Sequence, residues 1–227
     1  MEKRSTQIEI LGISRDGKWK KIYELAHEEE IIVKLNGEIH RFYCIPFDLE
    51  DMIAGNLKSR GIDPSLSQIK KLSNSEFEVN FSEELVKALQ KCDSKKKSTK
   101  SEVFDSLKTF NENSFLYEKT GCAHVVGICG DKKIFVEDVS RHCAIDKAIG
   151  LAIRDGINLA NSSLITSCRQ TASIIRKAIF CQIPIVISIS APTYLAVKEA
   201  NKYGITLIGF ASSKGFDIYS QDWRIEI

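Results

Sequence analysis

The first half of the chain reads as short antiparallel strands with brief helices between them. Glu30 to Leu35, then Asn36-Gly37, then Glu38 to Tyr43 has the pattern of a hairpin, because Asn-Gly accepts the positive φ of a two-residue turn. Pro46 and a capping Asp48 introduce a helix from about Leu49 to Ser59, which Gly61 and Pro64 stop. Short strands follow around Ile69 and Phe77. Ser82 then stands where it would cap a helix running to about Cys92, with Leu85, Val86 and Leu89 on one face.

Asp93 to Ser101 (DSKKKSTKS) carries four lysines and no apolar residue, the composition of a linker or exposed loop. A helix is expected from Val103 to about Tyr117. Ala123 to Cys129 and Ile134 to Val139 are extended runs joined by a Gly130-Asp131 turn. His142 to Gly156 is helical, with Ile145, Ile149, Ala152 and Ile153 along one stripe. Strand and helix then alternate through Leu164–Ser167, Thr171–Phe180, Ile185–Ile189, Thr193–Tyr203 and Ile205–Phe210. Near-continuous Val/Ile runs interleaved with helices imply a sheet covered on both faces and at least partly parallel. The expected fold class is α/β (α+β overall), with a smaller mixed β/α domain over 1–100 and an α/β domain over 101–227.

Polar residues gather where those strands hand over to helices. Glu137 to His142 (EDVSRH), Ser167 to Gln170 (SCRQ), Ser188 to Thr193 (SISAPT) and Phe210 to Gly215 (FASSKG) are four such clusters. The carboxyl ends of parallel strands share one edge, and ligands bind in the crevice there. Helix N-termini bring unpaired N–H groups and a positive dipole end to the same edge, which suits phosphate. The candidate binding residues are therefore Asp138, Arg141, His142, Ser167, Arg169, Ser190, Thr193, Phe210, Ala211, Ser212, Ser213, Lys214 and Gly215, with His124 on a neighbouring strand. Each has a plainer reading: Ser and Thr as N-caps, Arg141 as a partner of Glu137 or Asp138, His142 as a structural histidine.

Composition adds boundaries. With 32 Lys+Arg against 30 Asp+Glu in 227 residues, the chain has no general attraction to nucleic acid or an anionic membrane, so an anion needs a local site. No secretion signal opens the sequence, and the longest apolar run, Ile183 to Ile189, is too short to span a bilayer. Seven cysteines with no Cys-x-x-Cys read as reduced thiols of a cytoplasmic protein. No metal site is expected, since Cys122 and His124 lack the accompanying zinc motifs. Cys122, Cys143 and Cys168 sit beside polar or basic residues, whereas Cys44, Cys92, Cys129 and Cys181 look like core or helix-face positions.

Several of these stretches resemble the FdhD/NarQ family of formate dehydrogenase accessory proteins. They are Thr120-Gly121-Cys122-Ala123-His124, the run Glu137 to Lys147 (EDVSRHCAIDK), Ser188 to Thr193 and Gly204 to Phe210 (GITLIGF). Val33 to Glu38 and Pro46 to Asp51 agree more loosely, so the likeness spans about residues 28 to 227. It implies a C-terminal cytidine-deaminase-like three-layer domain and a homodimer. It also implies passage of persulfide sulfur from a cysteine desulfurase to the molybdenum bis-guanine-dinucleotide cofactor of formate dehydrogenase. Phe210 to Gly215 matches the family's cofactor-binding stretch by position, and guanine nucleotide would mimic that ligand.

One departure bears directly on activity. The family carries sulfur on a Cys-Gly-x-Cys loop just before the Val103 helix, and Asp93 to Ser101 holds no cysteine. Ser140, Cys143 and Cys168 also replace residues usual in the family. Persulfide chemistry needs a thiolate, so Cys92 and Cys122 become the candidate donors for a sulfurtransferase-like activity. The alternative is a cofactor-binding chaperone without sulfur transfer. A nucleotide-processing enzyme on a deaminase-like scaffold is disfavoured by the missing zinc motif.

Overall fold

The structure, a computed structural model, describes residues 4–227. It begins with a ribbon of β1 (Ser5–Ser14) and β2 (Gly17–Ala26), in which Ile8 faces Tyr23 and Gly12 faces Trp19. The indole lies over Gly12, where a Cβ would collide with it. The expected hairpin follows as β3 (Glu29–Leu35) and β4 (Glu38–Cys44), turned by Asn36 and Gly37 at positive φ. Then come α1 (Leu49–Lys58), β5 (Gln68–Lys71) and β6 (Glu76–Asn80). The four-stranded sheet β4-β3-β6-β5 buries Ile31, Val33, Phe77 and Val79 against Met52, Ile53 and Leu57 of α1. Asp48 occupies the N-cap of α1 in a left-handed conformation, but its side chain makes no capping bond.

The helix expected from Ser82 to Cys92 does not form. Glu83–Leu85 makes one 3-10 turn, and the chain then runs without regular structure to residue 97. Its backbone bonds elsewhere: Lys87 N–H donates to Gly61 O and Cys92 N–H to Tyr203 O, both at 2.9 Å. A helix of this length is marginal on its own, so tertiary partners decide its conformation. The lysine-rich stretch beyond it is anchored rather than free. Ser94 O accepts Arg224 Nη2 at 3.0 Å, and β7 (Ser98–Thr99) pairs with Ile225–Glu226.

A capping box between Thr99 and Glu102 starts α2 (Lys100–Glu112). The single helix expected to Tyr117 is broken at Asn113, and α3 (Phe115–Thr120) begins anew. Asn113 Nδ2 donates to Thr109 O at 2.8 Å and Ser114 Oγ to Phe110 O at 3.1 Å. These side chains satisfy carbonyls that a continuing helix would have used.

The second half follows the predicted alternation. Its elements are β8 (His124–Cys129), β9 (Lys133–Asp138), α4 (Arg141–Arg154), β10 (Ser163–Thr166), α5 (Ala172–Phe180), β11 (Ile185–Ser188), α6 (Tyr194–Tyr203), β12 (Thr206–Ser212), β13 (Gly215–Ser220) and β14 (Ile225–Glu226). The sheet order is β13-β12-β11-β10-β8-β9, with β10, β11 and β12 parallel and the others antiparallel. One face buries Val126, Leu164, Val186 and Leu207 against α4, α5 and α6. The other buries Val125, Ile165, Ile187 and Ile208 against Val103, Leu107 and Phe110 of α2. The fold is therefore mixed α/β, with helices on both faces of this sheet.

Two buried ion pairs and two glycines join the halves. Lys147 Nζ lies 2.6 Å from both Asp138 Oδ2 and Ile45 O. Asp146 pairs with Lys177 and accepts Asn56 Nδ2 at 2.8 Å and Ser59 Oγ at 3.1 Å. Between these pairs α1 crosses α4 so closely that a Cβ on Gly55 would strike the Asp146 carbonyl, and one on Gly150 the Asp51 carbonyl.

Candidate functional site

The registers bring the polar clusters to one edge of the large sheet. Val126 pairs with Thr166 and His124 with Asp138, so β8 begins and β9 ends where β10 and β11 end. Hydrogen bonds knit the loops there into a rim. Ser167 N–H donates to Val125 O at 3.0 Å, Ser190 Oγ to Ser167 O at 2.9 Å, and Phe210 N–H to Ser190 O at 3.3 Å. Thr193 N–H donates to Gln170 O at 2.9 Å. Helices α4 and α6 start at this rim, capped by Ser140 and Thr193, while α5 starts there without a side-chain cap. Phe210 is exposed and held at φ 50, a strained backbone conformation for a bulky residue.

Beside the rim lies a cavity of about 550 Å³ lined by Phe110, Tyr117, Cys122, His124, Ser167 and Ser190, among others. Its outer wall is α3, and Glu137 fixes that wall by accepting Leu116 N–H at 2.7 Å and Tyr117 N–H at 2.9 Å. The carboxylate thus caps the first turn of α3 from a different strand. Gly121, at φ 68, closes α3 and turns the chain toward Cys122. A cavity of similar size, about 570 Å³, lies at the N-terminal sheet beside Glu29, Asp48, Glu50 and Asp51. Those carboxylates give it the wrong sign for phosphate.

The rim itself is electropositive. Among the described residues Arg141 and Arg169 form no ion pair with any carboxylate. Burial, reinforced by these two guanidiniums, holds His124 below the usual histidine range. Burial, Lys177 and Arg141 do the same to His142, against a smaller opposing pull from Asp146. Both imidazoles are therefore neutral at physiological pH. The Nδ1 of His124 lies 3.5 Å from Ser167 Oγ.

Not every candidate faces the crevice. Asp138 is fully buried, and its carboxylate is taken up by Lys147, Ser140 N–H and Ile45 N–H. Arg141 accordingly pairs with neither Glu137 nor Asp138. The segment Ser212 to Gly215 runs on beyond Phe210 as a turn bonded to itself: Lys214 N–H donates to Ser212 Oγ, which donates to Gly215 O. Ser212, Ser213 and Lys214 are exposed there, while Ala211 is buried. Cys143 and Cys168 are buried as well. The walls contributed by Phe110 and Tyr117, and the anchoring by Glu137, had no sequence signal, because they depend on how α3 docks.

Comparison with known proteins places this arrangement. The sequence profile of the FdhD/NarQ family matches residues 73–226. The chain belongs to the FdhD/NarQ family. The protein named sulfur carrier protein FdhD in Methanothermobacter thermautotrophicus is 28% identical over 226 residues, covering 89% of this chain and 91% of that one. The Bacillus pumilus protein of the same name is 28% identical, covering 93% and 94%. A crystal structure assigned to a formate dehydrogenase accessory protein from Desulfotalea psychrophila superposes with a TM-score of 0.86 at 23% identity. It covers 98% of this chain and is itself covered fully, so the shared fold extends over both halves described above. No helix among the described residues is long and apolar enough to cross a membrane.

Proposed function

We propose that the chain is a cytoplasmic formate dehydrogenase accessory protein. In this reading it binds the phosphate-rich molybdenum bis-guanine-dinucleotide cofactor at the rim and supports its sulfuration. The observation that carries the reading is the meeting, at one sheet edge, of two arginines that no carboxylate of the described residues engages, three helix N-termini and a cavity of about 550 Å³. Arg141 is half-buried and Arg169 exposed, so both can reach a ligand phosphate through charge-assisted bonds. The partners are formate dehydrogenase, which receives the cofactor, and a cysteine desulfurase, which supplies sulfur.

A second reading, a binding chaperone that transfers no sulfur, is favoured by the absence of cysteine between Asp93 and Ser101. Both readings need the rim. Guanosine diphosphate titrated calorimetrically into the full chain is expected to bind, and Arg169→Ala to weaken it by about 1–3 kcal/mol, the worth of a charged hydrogen bond. Unchanged affinity in both Arg141→Ala and Arg169→Ala would remove the rim from the account.

A further inference from the structure

A sulfur carrier needs a thiol that a donor and an acceptor can both reach. Six of the seven cysteines are buried, each within a hydrophobic cluster. Burial pushes the thiols of Cys92, Cys129, Cys168 and Cys181 up, away from the reactive thiolate. Cys122 alone is exposed, and it lines the ligand cavity with His124, Ser167 and Ser190. Its backbone N–H and its thiol both reach Thr120 Oγ1, each at 3.3 Å, which fixes the residue against the end of α3. The half-buried imidazole of His124, held below the usual histidine range by burial and by Arg141 and Arg169, lines the same cavity.

We propose that Cys122 is the thiol that receives sulfane sulfur, inside the cavity that takes the ligand. The inference rests on the accessory-protein reading and names the residue through which it would work. The donor is a persulfide, R–S–SH. Cys122 Sγ, having passed its proton to His124, attacks the outer sulfur. A new S–S bond forms on Cys122, the donor's S–S bond breaks, and the departing R–S⁻ takes the proton back from His124. One thiol and one persulfide become one persulfide and one thiol, so no outside oxidant or reductant is required.

The rival thiol is Cys92, which lies near Arg224, a buried guanidinium whose Nε and Nη1 lack partners among the described residues. Cys92 bonds to Gln182 O and Tyr203 O, which precede β11 and β12. It therefore sits at the opposite edge of the sheet from the cavity, and its segment would have to detach before any acceptor met it.

The test exposes the full chain to a small-molecule persulfide, removes the excess and maps added sulfur by peptide mass. One extra sulfur atom is expected on the Cys122 peptide, lost in Cys122→Ser and kept in Cys92→Ser, with thermal unfolding confirming that each variant is folded. His124→Gln should slow the rate of loading while leaving Cys122 as the residue loaded. Sulfur retained in Cys122→Ser, or found on Cys92, overturns the assignment. Guanosine diphosphate titrated into the same proteins separates the two claims. Nucleotide binding without Cys122 loading defeats this inference alone, whereas Cys122 loading without nucleotide binding defeats the accessory reading alone.

Discussion

Lys147→Met is expected to cost about 3–5 kcal/mol of stability, because it strands a buried carboxylate. The side chains of Lys147 and Asp138 are 2% and 0% exposed, and the ammonium also binds Ile45 O, the residue leading out of the N-terminal sheet. Burial already pushes the Asp138 carboxyl up, and Lys147 is the largest influence opposing it, ahead of the N–H groups of Ser140 and Ile45. Without the lysine, the folded-state pKa rises further above its unfolded value. The folded protein then binds the extra proton, so the variant gains stability as pH falls through that raised value. Urea unfolding should therefore show a deficit that shrinks on mild acidification, and Asp138→Asn in the same chain should recover part of it. A loss below about 1 kcal/mol, the scale of an exposed pair, would mean that this pair does not join the halves of the molecule.

Gly150→Ala should be destabilising by about 1–3 kcal/mol, against what helix propensity alone dictates. Alanine is better than glycine inside a helix by about 1 kcal/mol. At this position, however, the added methyl group points into the backbone of α1 at Asp51, which cannot rotate away as a side chain can. Gly55 makes the reciprocal approach to α4 at Asp146. The two helices would have to separate, loosening the contacts of Asn56 and Ser59 with Asp146. Since α4 begins at Arg141, on the rim, the same change should weaken nucleotide binding without touching the ligand. Thermal melts decide the sign: a variant more stable than the parent would show that the helix crossing is slack.

Elements defined by their own residues were legible before the fold was known. The Asn36-Gly37 hairpin, the strand–helix alternation after residue 123 and the shared strand edge each depend on local pattern or a general rule of α/β sheets. What failed were decisions made elsewhere in the chain. Ser82 to Cys92 has helical spacing, but Gly61 and Tyr203 take its backbone hydrogen bonds. The lysines near residue 95 suggested a linker, yet Arg224 and β14 hold that stretch in place. Asp138 illustrates the same limit at the site. Its place at a strand end beside Arg141 suggested a ligand contact, but only the docking of α4 against Ile45 shows that Lys147 claims it. Cys122 and His124 stand two residues apart, so their neighbourhood was visible, while the cavity between them and α3 required Glu137 to reach across and seat that helix.

The cofactor rim is tested most directly by a crystal structure of the full chain with guanosine diphosphate bound. The account predicts phosphate oxygens within hydrogen-bonding distance of Arg141 or Arg169, at the N-terminal ends of α4, α5 or α6, with the ligand reaching toward Cys122. Nucleotide seated at the opposite edge of the sheet, near Lys58 and Lys87, with both rim arginines still unpaired, would contradict it.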